Sequence, residues 1–287
     1  MRIAVNGTDL WFDAEGAALV PDGDAMRERP VILALHGGPG LDHAYFKPFL
    51  TPLTTFAQLV YFDLRGQGRS SRPPLETCTV EQMADDTVAF CRVLGLERPV
   101  VLGHSFGGTV ALTLALRHPD LAGRLVLVDT TSCWSADHAE ALALLEGWHG
   151  HAIRAAARSM EGDRSAEAKA DFHRLVFPTY VWDPTLRAPV MAALRRSGYV
   201  HALADRFWGG LADAYDLRAH LGEIRWPTLV IVGERDWRTP PSASRTIAAD
   251  IPGAELLMLP DVGHFPYAEA PEAFATAVGQ FVETPGT

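Results

Sequence analysis

Cysteine is scarce. The chain of 287 residues holds only Cys78, Cys91 and Cys133, an odd number without metal-ligand spacing, so neither a disulfide framework nor a cysteine metal site is expected. All three read as small buried hydrophobes, free thiols in a reducing cytoplasm. Positive charge is also short: 25 Lys and Arg stand against 35 Asp and Glu, a formal net charge of −10 at pH 7. That balance excludes nucleic acid as a partner, because phosphate binding needs a basic face. No apolar run is long enough to cross a bilayer, and Met1 to Asp13 lacks the charged-then-apolar run of a signal peptide, so no membrane partner is expected. Patterns such as H-E-x-x-H and C-x-x-C are missing, hence no metal and no organic cofactor is expected. Internal repeats and low-complexity segments are missing too. The sequence leaves the oligomeric state open.

What is present is a full globular core, with 48% hydrophobic and 21% charged residues. Strand-like and helix-like stretches alternate, the pattern of an α/β fold whose mostly parallel sheet carries helices on both faces. Ile3 to Val5 and Leu10 to Phe12 form an opening hairpin around Asn6-Gly7. Val31 to Leu35, Leu59 to Phe62, Val100 to Leu102, Arg124 to Val128 and Thr228 to Val232 are predicted strands, several of them apolar without interruption, as strands covered on both faces are. Glu255 to Leu259 is the last predicted strand. Val80 to Leu94, Thr109 to Arg117 and Ala270 to Val282 are predicted helices; the first carries its apolar residues at helical spacing. From Ser132 to Arg225 no strand recurs, and four of the seven tryptophans, Trp134, Trp148, Trp182 and Trp208, lie there. Residues 132–225 are therefore expected to form a helical cap inserted between two sheet strands, with 1–131 and 226–287 making the core.

Gly103-His-Ser-Phe-Gly-Gly108 follows the Val100 to Leu102 strand and opens a helix. It fits G-x-S-x-G in the strand–turn–helix setting of a nucleophile elbow, so Ser105 is the candidate nucleophile. The turn is sharp, and glycine is needed where a side chain would strike neighbouring backbone. His36-Gly-Gly-Pro-Gly40 follows the Val31 to Leu35 strand. In that setting Gly38 and Phe106 are the candidate N–H donors to an oxyanion. His264, in Asp261-Val-Gly-His264 past the last strand, stands where the chain order Ser…Asp…His puts the base. Asp236, in Gly233-Glu-Arg-Asp236 after the Thr228 to Val232 strand, is the candidate acid, with Asp129, Asp261 and Glu234 as rivals. His36 and His104 rival His264, but each sits in a turn with another task. Phe106, Trp208 and Trp237 are the candidate substrate contacts.

These motifs, together with Asp63-Leu-Arg-Gly-Gln-Gly-Arg-Ser70, make the chain resemble the α/β-hydrolase superfamily over nearly its whole length. The HGGPG loop is similar to that of the proline iminopeptidase group. The resemblance implies a serine hydrolase that forms an acyl-enzyme on a small peptide, amide or ester, foremost an aminopeptidase removing N-terminal proline. Two departures weigh against the narrower likeness: Phe106 stands where that group usually has tryptophan, and no Trp-Glu pair is present for the substrate's ammonium. The Asp63 to Ser70 segment is more like that of esterases, haloperoxidases and dehalogenases, although Ser105 argues against dehalogenases and epoxide hydrolases, whose nucleophile is aspartate. Asp63 and Arg65 are expected to brace loops. A carboxylesterase or lactonase with an apolar pocket is the alternative; a non-catalytic small-molecule binder of the same fold is the remote one. An aminopeptidase would need a cap carboxylate to meet the ammonium, since a buried charge without a counter-charge is costly. Glu146, Glu161, Asp183, Asp205 and Asp213 are the candidates.

Overall fold

The computed structural model describes residues 1–121 and 123–284. Among the described residues ten strands are formed: β1 (Arg2–Val5), β2 (Thr8–Glu15), β3 (Leu19–Asp22), β4 (Ala25–Glu28), β5 (Val31–Leu35), β6 (Gln58–Phe62), β7 (Val100–His104), β8 (Arg124–Val128), β9 (Thr228–Gly233) and β10 (Glu255–Leu259). Eight of them make one sheet in the order β1-β2-β6-β5-β7-β8-β9-β10. β1 pairs antiparallel with β2 and β2 with β6; every other neighbour in the sheet is parallel. The opening hairpin turns at Asn6 and Gly7, whose φ values are 43° and 74°, the left-handed pair that an Asn-Gly turn supplies cheaply.

Side chains alternate across the central strands, and both faces are buried. Ile32, Ala34, Leu102, Val126, Val128 and Ile231 enter one core, whereas Leu33, Leu35, Val101, Leu125, Leu127 and Val230 enter the other. This is why these strands read as unbroken apolar runs rather than as alternation. The β3–β4 hairpin was not foreseen. Its burial is slight throughout, with Leu19 and Met26 about half exposed, so no hydrophobic pattern marks it.

Two helices flank the nucleophile region: α1 (Val80–Leu94), capped by the Thr79 hydroxyl and closed by left-handed Gly95, and α2 (Phe106–Arg117). Between β8 and β9 the described residues form helices and turns, with a single isolated bridge, Cys133 to Asp216. The helices are α3 (Trp134–His149), α4 (His151–Ala156), α5 (Ala166–Asp171), α6 (Arg187–Arg196), α7 (His201–Arg206) and the short α8 (Ala212–Ala214). After β9 come α9 (Pro241–Asp250), α10 (Pro266–Glu269) and α11 (Pro271–Glu283). No described helix is long and apolar enough to cross a membrane. All three cysteines are buried free thiols.

Candidate active site

The turn between β7 and α2 explains its glycines by contact. A Cβ on Gly103 would lie 2.5 Å from the Gly107 carbonyl oxygen, and one on Gly107 would lie 2.0 Å from the Leu35 carbonyl oxygen. Real side chains do not fit at such distances. Ser105 itself takes φ 55° and ψ −120°, a conformation that costs a non-glycine residue about 1–3 kcal/mol and persists only where the surroundings over-determine it. They do here: the Ser105 N–H donates to Val128 O at 2.9 Å, and the Thr130 hydroxyl donates to Ser105 O at 2.7 Å. Ser105 Oγ makes no hydrogen bond among the described residues and opens onto a cavity of about 470 Å³, shared with His264 and Gly38.

His264 stands on the loop between β10 and α10. Its N–H donates to Tyr180 O at 2.7 Å. Its Nδ1 lies 2.7 Å from Asp236 Oδ2, both side chains being nearly sealed from water. Asp236 is well furnished with donors: Arg238 N–H at 2.8 Å and Thr239 N–H at 3.2 Å reach Oδ1, and the Thr239 hydroxyl reaches Oδ2 at 2.5 Å. Burial alone would raise this carboxyl, but the His264 imidazole and these donors outweigh it and hold Asp236 below the ordinary carboxylate range. An anionic Asp236 fixes the proton on Nδ1 and leaves Nε2 as the acceptor facing the cavity. No Ser105–His264 hydrogen bond is formed in this structure; such contacts commonly tighten only when substrate binds.

Asp129, just after β8, is shifted the opposite way. Its Oδ1 accepts from Gly233 N–H at 3.0 Å, and its Oδ2 has no partner among the described residues. Burial and the neighbouring charge of Asp236 push its carboxyl well above the ordinary range. Two adjacent carboxyl groups are thus shifted in opposite directions by their surroundings. The other rivals point away: Asp261 is exposed and pairs with Arg235 at 3.2 Å, and Glu234 is exposed.

Behind the cavity a buried chain joins three loops. The Gly37 N–H donates to Tyr45 Oη at 2.6 Å, Tyr45 Oη lies 2.9 Å from His104 Nδ1, and His104 Nε2 lies 2.8 Å from His264 O. Burial, then the adjacent His264, depress the His104 imidazole well below its ordinary value, so it stays neutral. The neutral ring donates from Nε2 and accepts at Nδ1. His36 lies beneath its loop, with Nε2 accepting from Leu64 N–H at 3.1 Å and Nδ1 donating to Gly37 O at 2.8 Å. The Asp63 to Ser70 segment braces the same region. Asp63 accepts from the His43 ring at 2.6 Å, Gln67 Oε1 from Gly40 N–H at 2.6 Å, and Arg65 grips Asp86 through two nitrogens at 2.6 and 2.9 Å. Two triplets, His104–Asp129–His264 and Asp42–His43–Asp63, bring ligand-type atoms within 4.8 Å of one another. Both nitrogens of His104 and the carboxylate of Asp63 already serve hydrogen bonds, so neither triplet offers an uncommitted set.

Residues 30–271 match the alpha/beta hydrolase fold family. The chain belongs to that family. Among its relatives, RutD of Caulobacter sp. (strain K31), a protein named for carbamate hydrolysis, is 32% identical over 92% of this chain and 94% of its own length. The proline iminopeptidase PfmaB of Pestalotiopsis fici is 27% identical over 93% of each chain. The solved enol-lactonase of Burkholderia xenovorans LB400 superposes with a TM-score of 0.72 at 26% identity, covering 98% of this chain and 99% of that one. This α/β hydrolase therefore has relatives that differ in named substrate while sharing the fold.

Sequence reasoning on this α/β hydrolase needs correction at the substrate contacts. Trp237 is fully buried, its Nε1 donates to Thr179 at 3.0 Å, and it does not line the cavity. The ring of Phe106 is likewise buried, edge-on to Phe207 at 4.9 Å, and turned from the cavity. An aromatic residue beside a catalytic motif is more often core than wall. Trp208 does line the cavity. Sequence reasoning missed Tyr45, Thr239, Glu269 and Arg238. Tyr45 carries hydrogen bonds that no spacing announces; the other three sit within five residues of Asp236 or His264, the one signal available.

Proposed function

We propose that this protein is a serine hydrolase that acts through an acyl-enzyme on a small ester or lactone, with residues 132–225 as a cap over the site. One observation carries the reading: Ser105 stands in a strained elbow facing the same cavity as a His264 held by an ionised Asp236. Ser105 Oγ gives its proton to His264 Nε2 as it attacks the substrate carbonyl carbon. The oxyanion meets the N–H groups of Gly38 and Phe106, which have no other acceptor among the described residues. The C–O bond then breaks, His264 protonates the departing alkoxide, and water repeats the cycle to free the acid. No metal and no organic cofactor enters this scheme.

The fate of the cap carboxylates supports an ester or lactone over a peptide. Glu161 lines the cavity but is gripped by Arg154 through two bonds of 2.8 Å, and Asp205 is paired with Lys169 at 2.8 Å. Glu146 and Asp183 do not line it. Asp213 lines it with no ion pair among the described residues, which is the observation that keeps an iminopeptidase as the second reading. The test compares a short-chain aryl ester with a free and an N-acetylated proline arylamide. The ester should be hydrolysed far faster than either arylamide. Rapid cleavage of the free arylamide that acetylation abolishes would replace this reading by the iminopeptidase, because the ammonium contact would then be essential.

A further inference from the structure

Three cationic side chains other than histidine line the cavity: Arg164, Lys169 and Arg238. Lys169 is spent on Asp205 at 2.8 Å, and Arg164 donates to Trp208 O at 2.5 Å. Arg238 differs. Among the described residues no carboxylate comes within ion-pair distance of it. Its guanidinium instead lies over two indoles, 4.8 Å from the ring centre of Trp134 and 4.7 Å from that of Trp208. The two rings meet edge to face at 5.1 Å, and the Trp134 N–H is anchored on Thr109 Oγ1 at 3.1 Å. Asp137, whose carboxyl feels the Arg238 charge, already accepts the Thr131 hydroxyl. The arginine is also fixed to the catalytic loop, since its own N–H donates to Asp236 Oδ1 at 2.8 Å.

A guanidinium lying against aromatic rings and held in no ion pair can turn its N–H fork to a carboxylate, whose geometry it matches. Holding that fork in the same cavity as Ser105, without an ion-paired carboxylate, is the arrangement of an anchor awaiting an anion. We propose that Arg238 binds a carboxylate carried by the substrate, so that the preferred substrates are esters or lactones of dicarboxylic or other acid-bearing compounds. The proposal rests on the serine-hydrolase reading of the same cavity. The net charge of −10 does not oppose it, because charges beyond about 8 Å are largely screened at physiological ionic strength, whereas Arg238 acts at contact.

The test uses two aryl esters of equal length, mono(4-nitrophenyl) glutarate and 4-nitrophenyl pentanoate, which differ in a terminal carboxylate against a methyl. The wild-type protein should have the higher kcat/KM on the glutarate. In Arg238→Gln the glutarate-to-pentanoate ratio should fall about tenfold or more, as expected when a charge-assisted fork is lost, and Arg238→Lys should fall between. On the wild type alone, free glutarate should inhibit pentanoate turnover competitively and glutaramide should not, a result that needs no variant to fold. Equal kcat/KM on the two esters in the wild type, or an unchanged ratio in Arg238→Gln, would overturn the proposal and leave Arg238 as a packing group on the two indoles. Failure of the wild type to react with a fluorophosphonate would instead strike the serine-hydrolase reading beneath it.

Discussion

At the scale of single residues, the surroundings of two neighbouring carboxyl groups shift them in opposite directions, Asp236 down and Asp129 up. Asp236 has the His264 imidazole and three donors; Asp129 has one backbone N–H and an oxygen without a partner. The consequence is testable by amide substitution. Asp236→Asn should reduce kcat by roughly 10³–10⁴-fold with KM little changed, because the amide imposes the wrong imidazole tautomer without altering the cavity. Asp129→Asn keeps an oxygen that can accept from Gly233 N–H and should cost less than about tenfold, since burial and the Asp236 charge already disfavour an ionised Asp129. Steady-state kinetics on an aryl ester, with near-ultraviolet circular dichroism to check folding, measures both; a larger loss in Asp129→Asn would reverse the two roles. His264 and Asp236 were nameable from chain order alone, because a parallel sheet delivers loops to its carboxyl edge in a fixed sequence. Tyr45 was not, because its partner His104 lies 59 residues away; Arg238 and Glu269 stand near Asp236 and His264, but Trp134 and Trp182, which they also meet, lie 104 and 87 residues away.

At the scale of elements, Glu269 at the end of α10 ties the base to the helical stretch above it. Its carboxylate accepts from Trp182 N–H at 2.7 Å and Gly263 N–H at 3.1 Å, with longer contacts from Asp183 and Phe265. Withdrawal from water raises its pKa from 4.5 to about 7 against these donors. A carboxyl raised on folding binds its proton more tightly in the native state. Its contribution to stability is therefore full below about pH 4.5 and is lost as pH rises through about 7. Glu269→Gln removes that titration, so the Tm of the wild type minus that of the variant should fall between pH 5 and pH 8. A difference independent of pH would contradict the assignment. Legibility also varied by element. β5, β7, β8 and β9 are apolar on both faces and announce themselves. α2 begins at Phe106 rather than Thr109 because tertiary contact, not helix propensity, demands Gly107 and Gly108 there. The irregular turns at Phe172–Val176 and Phe207–Leu211 depart from α-helical spacing, so the sequence between β8 and β9 shows helix without showing which face meets the cavity.

At the scale of the whole molecule, the sheet brings three loops, after β5, β7 and β10, to one edge, and the buried Gly37–Tyr45–His104–His264 chain fastens them. Every group in the proposed chemistry comes from this protein, so ester hydrolysis should survive prolonged dialysis against a strong chelator with at least about nine-tenths of its rate retained, the margin allowed for handling; loss restored by added zinc would require a different mechanism. In the proposed mechanism Ser105 Oγ becomes covalently bonded to the substrate's acyl group. Intact-protein mass spectrometry after brief exposure to a fluorophosphonate measures this most directly, with peptide mapping to place the adduct. One added phosphonyl group per chain is expected, on the peptide containing Ser105, and no adduct on Ser105→Ala. An adduct of equal yield on Ser105→Ala, or one mapped to another residue in the wild type, would contradict it.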